Sequence, residues 1–280
     1  MSVKIVTDSL GDIPSEVAEE LGITVISLNV IFGTKSYRDG IDLTSEQFYH
    51  KLAHSKVFPT TIVPPLGVFV DTYDKLAEET DEIAVITNSH KLSASCEAAL
   101  QAKEQMKRKC RVEVVDSLWA VMAQGLIVIA ATKAANAGAS LKEVVALAGK
   151  NIPRADVRMA LDTLEYLSRG GRIGKAKTFL GTVLKVSPIL GIRDGEVYPF
   201  AREHSRARAI DYLYNFATSF SHIDEMAVED ATTPDEADEL AKRLSSKFPK
   251  ERIYRSKVSP VIGAHVGPHV LGVAVLGDRD

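Results

Sequence analysis

Cysteine, long apolar runs and surplus positive charge are all scarce in this chain. Only two cysteines occur, Cys96 and Cys110, and neither stands at metal-ligand spacing. A metal site built on cysteine is thereby excluded. The longest apolar run, Gly125 to Ala131, is far too short to span a bilayer. The opening Met1-Ser2-Val3-Lys4-Ile5-Val6-Thr7-Asp8 has neither an apolar h-region nor a cleavage site, so it reads as a first strand rather than a signal peptide. A cytoplasmic protein with reduced thiols is therefore expected. Lysine and arginine number 34 against 37 acids, a net charge of −3, which leaves no basic excess for a nucleic-acid scaffold. There is no Gly-x-x-x-x-Gly-Lys-Ser/Thr loop and no protein-kinase signature, which argues against a self-sufficient kinase.

What is present suits a sizeable core. The chain has 280 residues, 45% of them apolar, enough for one large domain or two of ordinary size. Val3–Thr7 reads as a short buried strand, followed by a helix from about Pro14 to Leu21 and a long β-rich run from Ile23 to Phe32. Tyr37-Arg38-Asp39-Gly40 is a turn signal. Thr44 with Gln47 three residues on makes a capping box. The proline-punctuated Phe58–Pro65 reads as a loop. Strand and helix then alternate through Ile83–Thr87, Cys96–Arg108, Val112–Val115 and Leu118–Asn136, the rhythm of a parallel α/β sheet covered on both faces. Near Asn151-Ile152-Pro153-Arg154 the rhythm changes. Asp194-Gly195 between two β-like runs signals a hairpin. Helices near 205–219 and 234–246 and strands near 225–228, 252–255 and 272–276 follow. The reading is α/β with two domains: 1–153 with a parallel sheet, and 154–280 an α+β unit with a mixed sheet.

The stretch Ile83 to Lys107 carries the first functional signal. A buried strand leads through Asn88-Ser89-His90-Lys91-Leu92-Ser93-Ala94-Ser95 into a helix of small residues. The first helical turn leaves backbone N–H groups without partners, and the macrodipole adds positive charge there, so an anion fits. Ser93 and Ser95 are candidates for anion contact; their plainer reading is that they cap the helix. Ligands in such sheets bind beyond the carboxyl ends of strands, where Asp8, Ser9, Ser93, Asp116 and Ser117 all fall. Asp8 and Asp116 there read as acceptors that organise loops.

Leu92-Ser93-Ala94-Ser95 resembles the Leu-Ser-Gly-Thr loop of the DegV family, bacterial fatty-acid-binding proteins of which some serve as the lipid-carrying subunit of fatty acid kinase. Ala94 replaces glycine and Ser95 replaces threonine. The resemblance continues in order through Thr7-Asp8-Ser9, Tyr37-Arg38-Asp39-Gly40, Pro59-Thr60-Thr61 with Pro64, Asp116-Ser117, and Asp162-Thr163-Leu164-Glu165-Tyr166-Leu167. Gly170-Gly171-Arg172-Ile173-Gly174 is the most specific block. Leu184-Lys185-Val186-Ser187-Pro188-Ile189-Leu190, Asp194-Gly195 and Ile262-Gly263-Ala264-His265-Val266-Gly267-Pro268 complete it. Departures are Ile62 and Val63 for serine and glutamine, His204-Ser205 for an Arg-Thr pair, and His269 for glycine.

The resemblance implies a long-chain fatty acid held between two domains, tail in an apolar tunnel of the first, carboxylate near the cleft. It implies that Thr61 and Ser93 hold the carboxylate through their hydroxyls, that the backbone amides of Ile62 and Ala94 add donors, and that His265 reaches over from the second domain. It places Arg172 at the cleft, toward phosphoryl transfer by a separate kinase subunit of the dihydroxyacetone-kinase type. No cofactor is expected beyond the lipid itself, and the chain is expected to be a non-catalytic carrier. Taken singly, Thr61 reads equally as a turn former, His265 as a structural histidine and Arg172 as a solvated charge. Two other readings stay open: a hydrolase or transferase using Ser93, His265 and Asp116, and a lipid-sensing regulator.

Overall fold

The computed structural model describes residues 2–180 and 187–279. The Leu184-Lys185-Val186 part of one family-like motif lies outside the described residues. The first half runs β1 (Lys4–Asp8), α1 (Ser15–Leu21), β2 (Thr24–Ile26), β3 (Asn29–Phe32), β4 (Lys35–Arg38), α2 (Ser45–His54), β5 (Thr60–Ile62), α3 (Leu66–Leu76), β6 (Glu82–Thr87), α4 (Ser95–Glu104), β7 (Arg111–Asp116), α5 (Val121–Asn136) and α6 (Leu141–Asn151). The second half runs β8 (Ala155–Ala160), α7 (Glu165–Arg169), β9 (Ser187–Arg193), β10 (Glu196–Glu203), α8 (Arg206–Ala217), β11 (His222–Asp230), α9 (Pro234–Ser245), β12 (Ile253–Lys257), α10 (Pro260–Val266) and β13 (Leu271–Asp278).

Three sheets result. The parallel sheet has the order β2-β1-β6-β7. A small antiparallel sheet, β4-β3-β5, stands beside it. The mixed sheet has the order β10-β9-β8-β13-β11-β12, in which only β11 and β12 run parallel. This is the α/β class read from the sequence, with a parallel sheet and a mixed one.

Four local readings are corrected. The run Ile23–Phe32 is two strands in two different sheets, because at Leu28 the backbone N–H leaves the ladder and donates to Ser9 Oγ (3.1 Å). Lys35–Arg38 is a strand, and the turn falls at Asp39-Gly40, where Gly40 takes φ +71°. The Phe58–Pro65 loop contains β5. Neither Ser93 nor Ser95 caps α4: the cap position is Ala94 and has no side-chain hydrogen bond. Other local signals hold. Thr44 and Gln47 make both halves of the capping box. The hairpin turns through Asp194 and Gly195, at φ +53° and +79°, the doubly positive pair that matches strand twist.

Helix α5 is buried without a break from Val121 to Ile129 and apolar over most of its length, with Lys133 and Asn136 reaching solvent only in its last turns. It packs on β1 in one sheet and on β8, β11 and β13 in the other. One continuous apolar core therefore runs from Val3 to Leu276 through both halves. No helix among the described residues is long and apolar enough to cross a membrane. Gly125 lets α5 approach so closely: a Cβ there would stand 2.5 Å from the Gly11 carbonyl oxygen. Mid-helix glycine ordinarily costs about 1 kcal/mol relative to alanine. Gly125→Ala is nevertheless expected to destabilise by about 1–3 kcal/mol, because a backbone carbonyl has to move. A urea midpoint equal to or above the unsubstituted protein's would show that the contact relaxes freely.

Candidate functional site

A cavity of about 310 Å³ lies between the carboxyl ends of the parallel sheet and the face of the mixed sheet. Leu10, Leu28, Ala120 and Val121 line it from the first half. The other half contributes Val157, Met159 and Leu161 on consecutive inward positions of β8 and its extension, and Leu190 and Ile192 on β9. Strand side chains alternate between faces, so each row of two-apart residues presents one apolar wall. The expectation of a tunnel built by the first domain alone is corrected here: the two sheets wall it together.

Polar groups gather around Thr61, Ser93, Ala94, Arg172 and His265, all of which line this cavity, as does Ile62. Thr61 sits on β5, opposite Val30. Its Oγ1 lies 2.8 Å from His265 Nε2, across 204 positions of sequence. Helix α10, which the sequence reading took only as a closing glycine-rich motif, delivers that histidine. Burial holds the imidazole down at about 4, with the Arg172 charge adding to the effect, so the ring is neutral at neutral pH. His265 Nδ1 is buried with no hydrogen-bond partner among the described residues. It lies against Gly170, where any Cβ would collide with it. The structural-histidine reading thus accounts for one ring nitrogen only.

The Ser93 loop is clamped from beneath. Asp8 is buried, and its Oδ2 accepts the Asn88 N–H (2.9 Å) while Oδ1 accepts Leu10 N–H and Gln124 Nε2–H (both 3.1 Å). Burial raises the Asp8 carboxyl to about 6, against the lowering by those donors. Asp116 accepts from His90, ring and backbone, and from the Leu118 N–H at 2.8 Å. Both aspartates organise the loop rather than face the cavity mouth. The hairpin closes it from the other half: Ser89 Oγ donates to the Gly195 carbonyl at 2.8 Å. Ser93 Oγ itself lies 3.2 Å from Ser95 Oγ. Because Ala94 brings no side-chain acceptor, the first-turn amides of α4 stay unserved by a cap.

Ser93, His265 and Asp116 do not form a nucleophile–base–acid chain. His265 pairs with Thr61, Asp116 with His90, and Ser93 with Ser95. Cys96 is no better a nucleophile, since burial pushes its thiol up. Arg172 is exposed, and it is anchored to carbonyls of both walls: Nη1 donates to Gly170 O (2.9 Å) and Nε to Leu92 O (3.3 Å). Its neighbours are less free than the basic stretch Arg169–Lys177 suggests. Arg169 pairs with Glu165 at 2.6 Å and sits over the Phe58 ring, and Lys175 lies over Tyr198.

Sequence reasoning missed Asn88, which is fully buried and lines the cavity, and Gln124, which ties Thr7 and Asp8 to α5. A glutamine at the mouth of the longest apolar run was a readable signal. Val121 was not: it is a β-branched residue at φ +53° against the cavity, a conformation that tertiary structure has to impose.

The chain matches the family described as "Uncharacterised protein, DegV family" over residues 2–278. A DegV domain-containing protein of Clostridium perfringens is 33% identical over 282 residues, covering 98% of each chain. Two solved structures superpose closely. One, described as fatty acid binding of a DegV family protein from Thermus thermophilus, has a TM-score of 0.90 at 30% identity over 99% of this chain and 100% of that one. The other, described as DegV, a fatty acid binding protein from Bacillus subtilis, has the same TM-score, identity and coverage.

Proposed function

The chain belongs to the DegV family, and on that premise we propose that it binds one long-chain fatty acid between its two halves and presents the carboxylate to a separate kinase subunit for phosphorylation to an acyl phosphate. The observation that carries this reading is an apolar cavity ending at the Thr61–His265 pair. The two superposed relatives described as fatty acid binding support the ligand class. The strands of the parallel and antiparallel sheets all precede residue 154 and those of the mixed sheet all follow it, which supports a division into 1–153 and 154–280.

The proposed chemistry divides the labour. Burying one methylene is worth about 0.8 kcal/mol, so a chain of ~15 gains roughly 12 kcal/mol before ordering costs. A neutral hydrogen bond nets only about 1 kcal/mol. The cavity walls therefore supply affinity, and the polar groups set head-group choice. We assign the neutral His265 ring as donor through Nε2–H to Thr61 Oγ1. That leaves the threonine proton free to point at the lipid carboxylate, with Ser93 and the Ile62 and Ala94 amides as further donors. Arg172, anchored by two replaceable carbonyl contacts, turns toward the phosphoryl group. The kinase partner is of the dihydroxyacetone-kinase type, the setting is the cytoplasm, and the carrier itself performs no bond chemistry and needs no cofactor. The separation of Ser93, His265 and Asp116 into three different pairs supports this carrier reading over a hydrolase.

Gently purified protein should release a stoichiometric long-chain fatty acid on denaturing extraction, read by mass spectrometry. Ligand bound only to the folded state adds about 2.7 kcal/mol at a hundredfold excess over Kd, a rise of roughly 5–10 °C in Tm. No lipid in repeated extractions, together with no shift on adding oleate or palmitate to stripped protein, would reject the carrier.

A further inference from the structure

We propose that a second cavity, between the β1 side of the first half and the start of α10, holds a small organic cation bearing N–H donors. The cavity measures about 600 Å³ and shares no lining residue with the apolar one. Its wall is acidic. Asp8, Asp12, Glu16, Glu19 and Asp39 line it, against only Arg255 and Lys257. Those two bases are already committed. Arg255 pairs with Asp230 at 3.2 Å and Asp238 at 2.9 Å, and Lys257 pairs with Asp230 at 2.6 Å. Asp8 is likewise satisfied by its loop donors.

Asp12 and Asp39 are different. They are 6% and 3% exposed, and no ion pair among the described residues involves either. Asp12 Oδ1 accepts the Ser259 N–H at 3.2 Å, but Oδ2 has no partner; the Ser9 and Ser259 hydroxyls and the Val261 N–H lie near Asp39, yet none makes a well-formed hydrogen bond to either of its oxygens. The backbone around Asp39 is fixed, its N–H donating to Leu28 O at 2.8 Å. Buried carboxylate oxygens held rigidly with three of four lacking a well-formed hydrogen bond are an exception that calls for a partner. Charge-assisted N–H bonds are the strong way to supply one. A metal ion is disfavoured, since no group of three His, Cys, Asp or Glu among the described residues is placed to hold one. The volume also suits an organic molecule better than a bare ion. An ammonium or guanidinium group is the chemistry that fits two acceptors, an acidic wall and a roomy cavity together.

This site does not rest on the lipid reading, and its test runs on the full chain with or without lipid. The probes are putrescine and methylguanidinium, with tetramethylammonium as a cation that lacks N–H. The N–H probes should raise Tm and bind measurably by calorimetry, and tetramethylammonium should do neither at equal ionic strength. Asp39→Asn, which keeps shape and removes charge, should weaken the probes at least tenfold. Amide shifts in the unsubstituted protein should concentrate at Gly40 and Ser259, so the location is read even if the variant folds poorly. Absence of binding at millimolar probe, equal stabilisation by tetramethylammonium, equal affinity in Asp39→Asn, or shifts spread over surface acids would each overturn the site.

Discussion

Thr61→Val is expected to lower affinity for a free long-chain fatty acid by roughly tenfold to a hundredfold and to leave affinity for the methyl ester almost unchanged. Valine matches threonine in volume and suits β5, so the backbone pairing with Val30 survives. What goes is the hydroxyl that stands 2.8 Å from His265 Nε2. A hydrogen bond to an ionised carboxylate is worth about 1.5–3 kcal/mol, and each 1.4 kcal/mol is tenfold. The change also strips the partner from the second ring nitrogen of His265, whose Nδ1 already has none among the described residues. Ser93→Ala should cost less, because Ser95 Oγ lies 3.2 Å away and offers a second hydroxyl to the same loop. Paired calorimetry with the acid and its ester decides the matter. Equal losses for both ligands would mean that Thr61 shapes the cavity and does not read the head group.

How much of this was legible depended on sequence distance. Features made within a few residues read out correctly: the Thr44 capping box, the Asp194-Gly195 hairpin and the alternation from β6 to α5. The break inside Ile23–Phe32 did not, since it depends on Ser9 Oγ accepting a hydrogen bond from Leu28, nineteen positions away. Helix α10 was hidden for a related reason. Its Gly263 and Ala264 look like loop residues, but Gly263 is there because a Cβ would meet the Phe48 ring and the Tyr49 hydroxyl at 2.6 Å. Periodicity alone held one signal left unused: Val157 and Met159 alternate with Asp156 and Arg158, the pattern of a strand that turns an apolar row to one side. That row, with Leu190 and Ile192, walls the cavity from the half that the sequence reading left out. The meeting of Thr61 with His265 had no local signal at all, and only the family resemblance pointed to it. The same limit explains the triad reading, which chose chemically sensible residue types that the fold assigns to separate partners.

Arg172→Ala should leave fatty acid affinity within a few fold of the unsubstituted protein and cut acyl phosphate formation with a cognate kinase by roughly 10²–10³, the usual loss when a preorganised charge donor is removed from a transition state. Its present partners, Gly170 O and Leu92 O, are carbonyls at an exposed edge that water satisfies equally well, so folding should tolerate the loss. Its guanidinium is also the cation close enough to act on the His265 ring, which puts it beside the proposed carboxylate. Glycines on either side, with Gly171 at φ +71° and Gly174 at φ +51°, hold the backbone in turns that bring the side chain to the mouth. Arginine offers two parallel N–H donors to a phosphoryl group, and lysine offers a point charge. Arg172→Lys should therefore recover part of the rate and not all of it. Arg169 gives an internal control. Its charge is taken by Glu165 and the Phe58 ring, so Arg169→Ala should slow phosphorylation far less. If Arg172→Ala weakens lipid binding and phosphorylation by the same factor, the residue belongs to the lipid pocket. If Arg169→Ala matches it in rate loss with lipid affinity intact, the whole basic stretch docks the partner, and no single guanidinium acts on the phosphoryl group.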